Sequence, residues 1–281
     1  MTNTLFSFGH GYSAQALSRT LAPQGWRIFG TTRDIEGATA IRTSGAEPLI
    51  WPGEQPDLDG VTHLLISTAP NEDGDPVLAA LGDEIAKRAG QLKWVGYLST
   101  TAVYGDHQGD WVDETTPPTP TAKRGRWRML AEEQWSGIPG LPVHIFRLAG
   151  IYGPGRGPFS KLKRGGLRRI IKPGQVFSRI HVTDIAQVLA ASMMAPNPGS
   201  IYNVCDDEPV PPQDVIGYAA ELQGLPLPPA VPYDEADLTP MARSFYNENK
   251  RVRNDLIKEE LGVQLLYPNY RVGLEALMAG S

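Results

Sequence analysis

The chain has 281 residues, 41% hydrophobic and 20% charged, with a formal net charge of -5 and a pI near 5.6. That is the make-up of a globular protein with a substantial core, and the acidic balance argues against nucleic acid, whose binding needs concentrated positive charge. A lone cysteine, Cys205, leaves no internal disulfide and points to a reducing, cytoplasmic setting. No stretch approaches the roughly 18 apolar residues of a membrane span, and Met1 to Gly9 has neither the basic flank nor the long apolar run of a signal peptide.

Leu5 to Phe8 is a short apolar run that stops at Gly9-His10-Gly11. Ala14, Leu17 and Leu21 follow at helical spacing until Pro23 and Gly25 end the segment. Trp26 to Gly30 reads as a second strand. Val61 to Ser67 is a near-continuous apolar run, the pattern of a parallel strand covered on both faces. A helix over Leu78–Ala89, a strand over Trp94–Leu98, a helix over about Arg126–Trp135 and a strand over Val143–Leu148 come next, then a helix over Ile185–Met194 and a strand over Ile201–Val204.

This alternation predicts an α/β, doubly wound parallel sheet of Rossmann type with helices on both faces. Beyond Asp206 the chain turns proline-rich, with helices expected at Gln213–Gln223 and Val252–Leu261. The expected division is a dinucleotide-binding domain over 1–155 plus 177–205, and a small C-terminal substrate-binding cap over 156–176 plus 206–281.

Gly9-His10-Gly11-Tyr12-Ser13-Ala14 fits G-x-G-x-x-G/A and stands between the first strand and the first helix. The first glycine permits a tight turn and the second lets a pyrophosphate approach the backbone. Ala14 lets the helix pack close to the strand, and the helix N-terminus favours phosphate charge. A ligand-free structural turn would need the same glycines. The next strand leads into Thr31-Thr32-Arg33-Asp34. Arg33 and the threonine hydroxyls favour the 2′-phosphate of NADP, with Arg42 as a helper, whereas Asp34 would suit the ribose of NAD.

Further motifs appear in a fixed order. They are Leu98-Ser99-Thr100-Thr101-Ala102-Val103-Tyr104-Gly105, Val112-Asp113-Glu114-Thr115-Thr116-Pro117, Arg147-Leu148-Ala149-Gly150-Ile151-Tyr152-Gly153-Pro154-Gly155, Arg179-Ile180-His181-Val182-Thr183-Asp184, and Tyr202-Asn203-Val204, with a closing segment from Tyr267 to Leu274. Together they resemble the extended short-chain dehydrogenase/reductases, which include nucleotide-sugar epimerases and dehydratases. The resemblance runs over nearly the whole chain. It implies cofactor contacts from Gly9, His10, Gly11, Tyr12 and Ser13, from Thr32 and Arg33, from Ser67, Thr68 and Ala69, and from Leu148. It also implies a homodimer formed through two helices of each copy.

Family members use a Tyr-x-x-x-Lys pair, in which the lysine charge lowers the tyrosine pKa. Aligned on Ala131-Glu132, this chain carries Arg124 and Arg128 at those positions. Arginine stays protonated at any working pH, so neither residue can act as an ordinary acid or base. Arg128 could hold the nicotinamide ribose, and Arg124 a substrate carboxylate or phosphate; a solvated first turn of a helix would look the same. Thr100 matches the family's substrate-orienting Ser/Thr, and Tyr104 is the phenol next along the chain. His181 is expected to pack structurally, and Asp184 to cap the helix beginning near Ile185.

Lys161, Lys163, Arg164, Arg168, Arg169 and Lys172 form a basic cluster suited to a phosphorylated or carboxylated small-molecule substrate, or to solvent. No His/Cys/Asp grouping with metal spacing occurs in the sequence. Three functions remain open: an NAD(P)-dependent oxidoreductase or epimerase/dehydratase with an atypical active site, a non-catalytic NADP-binding sensor or scaffold, and an α/β protein that binds no dinucleotide.

Overall fold

The computed structural model describes residues 2–280, and the Arg164 side chain lies outside what is described. The first strand, β1 (Thr4–Phe8), buries all five of its residues. Its side chains alternate between two cores: Leu5 faces one, Phe6 and Phe8 the other. Such two-sided burial is why the strands read as apolar runs.

There follow α1 (Tyr12–Leu21), β2 (Arg27–Thr32), α2 (Ile35–Thr43), β3 (Glu47–Ile50), β4 (His63–Ile66), α3 (Pro76–Lys87), β5 (Trp94–Thr100), β6 (Trp111–Val112), α4 (Lys123–Ser136) and β7 (Val143–Leu148). The second half holds β8 (Gly150–Tyr152), α5 (Pro158–Arg164), β9 (Arg169–Ile171), β10 (Arg179–His181), α6 (Val182–Met194), β11 (Ile201–Val204), α7 (Pro212–Leu222), β12 (Ala230–Pro232), α8 (Pro240–Tyr246), β13 (Arg251–Val252), α9 (Asp255–Glu259) and α10 (Tyr270–Ala279).

Seven strands form one sheet in the order β11-β7-β5-β4-β1-β2-β3. Each adjacent pair is parallel. On one face α1 packs beside α6, with Leu17, Leu21, Ile185 and Leu189 over Leu5 and Trp94. On the other, Val77, Leu81 and Ile85 of α3 and Ala131 and Trp135 of α4 cover Phe6, Phe8 and Tyr97. Each buried Leu, Ile or Val side chain contributes about 1.5–3 kcal/mol. Glu132 of α4 would break this apolar surface, but it forms a buried ion pair with Arg147 of β7 at 2.7 Å and also accepts from the Ser99 hydroxyl. A third core, with Leu162, Val215, Ala219, Tyr270 and Leu274, joins α5, α7 and α10 into a cap.

Several expectations are corrected. The helix expected from Val252 to Leu261 is reduced to α9, because Arg251 and Val252 pair with Trp111 and Val112 as a short parallel ladder. Ile257 and Val263, placed in the cap by sequence, pack into the core on the α1/α6 face of the sheet. Helix α6 begins at Val182, and its first turn is capped by His181, whose Nδ1 accepts from the Thr183 N–H at 3.2 Å. Asp184 is therefore not the cap. Its carboxylate accepts from the backbone N–H groups of Leu266 (2.8 Å) and Tyr267 (3.1 Å), tying the chain leading into α10 to α6. No helix among the described residues is long and apolar enough to cross a membrane.

Candidate functional site

The strand order reverses between β1 and β4, and ligands of such sheets bind at the carboxyl ends beside that point. Here the chain leaves β1 through Gly9, whose φ of +73° is left-handed. A Cβ at Gly9 would lie 2.9 Å from the Thr68 nitrogen and 3.1 Å from the Ser67 carbonyl carbon, so only glycine lets the turn press against the end of β4. The turn is held from both sides. The Gly9 N–H donates to Thr31 Oγ1 (2.8 Å) and the His10 N–H to Thr31 O (2.9 Å), while the Ser67 hydroxyl donates to Phe8 O and Gly9 O.

Gly11 is the N-cap of α1 and supplies no capping side chain, and the first turn carries no acidic residue. Among the described residues no acceptor takes the N–H groups of Tyr12, Ser13 or Ala14. A Cβ at Gly11 would meet only Gly9 O, at 3.8 Å. The positive end of α1 is thus open to the space in front of it.

That space is a cleft of about 1460 Å³, larger than the roughly 300–1,000 Å³ usual for a single small-molecule pocket. Gly9, Gly11, Tyr12, Ser13, Ser67, Ala69 and Leu148 line it, and so do Thr100, which pairs with Leu148, and Arg124 and Arg128 of α4. The structure brings these residues together around one cleft.

Other expected contacts lie elsewhere. The His10 side chain is buried beneath the turn, its Nε2 3.0 Å from Ser18 Oγ, and a Cβ at Gly30 would lie 2.5 Å from its ring. Burial, and then the Arg19 charge, push its pKa down to about 4, so the ring is a neutral packing element. The Thr68 hydroxyl turns away to Asp75 at 3.4 Å. Tyr104 is fully buried, donates to Asn203 Oδ1 at 2.8 Å, and is pushed up to about 12, with burial the main cause. It does not face the cleft and is no proton donor to it.

Thr32 and Arg33 stand beyond the lining residues, at the end of β2. Arg33 is exposed and has no carboxylate within ion-pair distance among the described residues, and Asp34 caps α2 by accepting from the Gly37 N–H at 2.7 Å.

Beside Leu148, Thr100 Oγ1 accepts from the Ala102 N–H (3.2 Å), which leaves its hydroxyl proton free to donate. Arg128 Nη1 donates to Leu98 O (2.7 Å) and to the Tyr97 hydroxyl (3.1 Å). Both acceptors are neutral, since burial raises the Tyr97 pKa well above its ordinary value. Neither acceptor supplies a counter-charge; the carboxyl in electrostatic reach of the guanidinium is that of Asp75, with which it forms no ion pair among the described residues. Arg124 is exposed, with Nη1 4.0 Å from Met241 Sδ.

The cleft also holds residues that sequence reasoning had not placed there: Arg156, Arg179, Glu248, Lys250, Met241 and Phe245. Arg179 opened one of the quoted motifs, but no pattern in sequence marked the direction of its side chain. Of the basic cluster, Lys161 reaches the cleft. Arg169 instead donates to Pro228 O (2.9 Å) and Lys172 to Tyr246 O, so both brace the cap. Lys163 and Arg168 are exposed.

No family model matches the chain. It is 29% identical to protein YeeZ of Escherichia coli K12, covering 93% of this chain and 95% of that one. A solved structure described as a functionally unknown conserved protein of Silicibacter pomeroyi is 79% identical, with a TM-score of 0.98 over 100% of this chain and 99% of the other. The dTDP-glucose 4,6-dehydratase of Bacillus anthracis, solved with NAD, superposes with a TM-score of 0.77 at 14% identity, over 99% and 96% of the two chains. The chain shares the fold of that dehydratase. A human epimerase family protein solved with NADPH shares it, with a TM-score of 0.75 at 15% identity over 99% of this chain and 100% of that one.

Proposed function

We propose that the chain is an NADP-dependent oxidoreductase of the extended short-chain dehydrogenase/reductase kind, working without a tyrosine–lysine pair. The observation that carries this is the open, uncapped amide end of α1 above a left-handed glycine turn, set into a cleft that reaches Thr100 and Arg128. Backbone N–H groups there suit a pyrophosphate. Arg33 favours the 2′-phosphate, and Asp34 is already engaged as a helix cap. Solved proteins of the same fold carry NAD or NADPH, so NAD is the alternative the test must separate.

When bound, the nicotinamide supplies or accepts a hydride. The chain's own residues position and polarise. Thr100 donates a hydrogen bond to a substrate oxygen, and Arg128 holds a fixed positive charge close to it. Neither Arg124 nor Arg128 gives up a proton, so water in the open cleft exchanges protons with that oxygen.

Titration calorimetry tests the cofactor. NADP is expected to bind more tightly than NAD, and Arg33→Asp to weaken NADP by about 10- to 100-fold, the worth of one charge-assisted contact. Equal affinity of the unaltered protein for NAD would overturn the preference. Activity is read as NADPH absorbance against a panel of carbonyl compounds, with Arg128→Ala expected to abolish it. The replacement of both acid–base positions by arginine favours a second reading, a dinucleotide-binding sensor, which would bind NADP and turn over nothing.

A further inference from the structure

The chain is acidic overall, at -5, yet its cleft is cationic. Arg124, Arg128, Arg156, Lys161 and Arg179 all line it, and none has a carboxylate within ion-pair distance among the described residues. The one carboxylate in the lining, Glu248, is held by Lys250 at 2.8 Å and by the Thr121 hydroxyl at 2.8 Å. A concentration of like charge in a concave site is costly unless an anion occupies it.

Arg156 lies against the Tyr12 ring, on the glycine-turn side. Lys161 comes from α5 and Arg179 from β10, away from the turn. Arg179 Nη1 donates only to the carbonyls of Phe177 (2.8 Å) and Val210 (3.3 Å). The buried Asp206 carboxyl is within electrostatic reach of Arg179 but forms no ion pair with it among the described residues, and burial, working against the Arg179 charge, raises that carboxyl to about 8, which favours its neutral form.

The same part of the cleft is walled by Phe177, Ile216, Met241 and Phe245. Met241 and Phe245 are 54% and 61% exposed and face the cleft from α8, whose Ser244 also lines it but turns its hydroxyl back to Met241 O at 2.7 Å. A sugar would leave many hydroxyl groups without partners on such a wall, whereas an apolar group would cover it.

We infer that the second ligand of this cleft is an amphipathic organic acid, its anionic head taken by Arg179 and Lys161 and its apolar body laid against Phe177, Ile216, Met241 and Phe245. The inference rests on the reading that a dinucleotide fills the glycine-turn half, and it accounts for a cleft too large for one ligand.

The probes are 4-phenylbutyrate, its neutral amide, acetate and UDP-glucose, titrated calorimetrically into the full chain with and without saturating NADP. Phenylbutyrate is expected to bind at least tenfold more tightly than the amide, acetate or UDP-glucose. Lys161→Gln and Phe245→Ser, both at exposed positions, should each weaken it about fivefold or more while changing NADP affinity less than twofold. Arg179→Gln should weaken it further, with circular dichroism confirming the fold. Equal binding of acid and amide, tighter binding of UDP-glucose, or indifference to both exposed substitutions would overturn the inference. Failure of NADP to bind would instead remove the dinucleotide reading, and the titrations without NADP keep the two failures apart.

Discussion

Replacing Gly11 by aspartate should make the protein slightly more stable and unable to hold a dinucleotide. Gly11 is the N-cap of α1, its φ is not left-handed, and a Cβ there meets nothing closer than 3.8 Å. Aspartate is among the preferred N-cap residues, and its charge suits the helix end, together worth about 0.5–1 kcal/mol over glycine. Unfolding entropy for 281 residues, at about 2.1 cal/mol/K each, is about 0.6 kcal/mol/K, so the melting temperature should rise by about 1–2 °C. The same carboxylate would take the N–H groups offered to the pyrophosphate and repel it. Losing two charge-assisted bonds at about 1.5–3 kcal/mol each weakens NADP by more than about 100-fold. Thermal unfolding without ligand and calorimetry with NADP read the two effects separately. NADP affinity within threefold of the unaltered protein would refute the reasoning, and so would a melting temperature more than about 3 °C lower.

Gly9→Ala should behave differently, because a left-handed φ and a contact with the Thr68 backbone must both be relieved; a loss of about 1–3 kcal/mol in urea unfolding is expected, together with lost NADP binding. Glu132→Gln leaves the buried Arg147 guanidinium without its counter-charge, which should cost about 3–5 kcal/mol; the Glu132→Gln, Arg147→Met double variant should recover part of that, and an additive double loss would contradict it. Asp206 is held protonated by burial, with a pKa of about 8 against an ordinary 3.8. The stability this lends is complete below about pH 4 and lost as pH rises through 8. Asp206→Asn should therefore gain on the unaltered protein between pH 5 and 9 by more than about 1 kcal/mol, and parallel stability curves would contradict the assignment.

The central sheet was legible because strands buried on both faces, such as Thr4–Phe8 and His63–Ile66, leave continuous apolar runs. The glycine turn was legible because its steric demands admit few residues. The edge strand Glu47–Ile50 was not, since none of its four residues is fully buried and one is proline. Helix α2 buries only Ala38 and Ile41, too few to show a period. The two- and three-residue ladders at Trp111–Val112 and Arg169–Ile171 owe their pairing to partners far along the chain, which local propensity cannot report. The same limit hid the cap side of the cleft. Its glycine-turn side comes from one βα unit and its neighbours, whereas Arg179, Phe245 and Lys161 converge only through the packing of the cap. Asp184 looked like a helix cap by position, yet its acceptors serve a loop more than eighty residues away.

The imidazole of His10 fills the volume that a methyl group on Gly30 would claim. These two positions, twenty residues apart, share a single steric allowance, so neither can drift alone during evolution. Homologues with a smaller residue at position 10 are free to enlarge position 30, while those keeping histidine must keep glycine. Such paired variation would tune how closely the second strand approaches the glycine turn without touching any residue of the cleft itself.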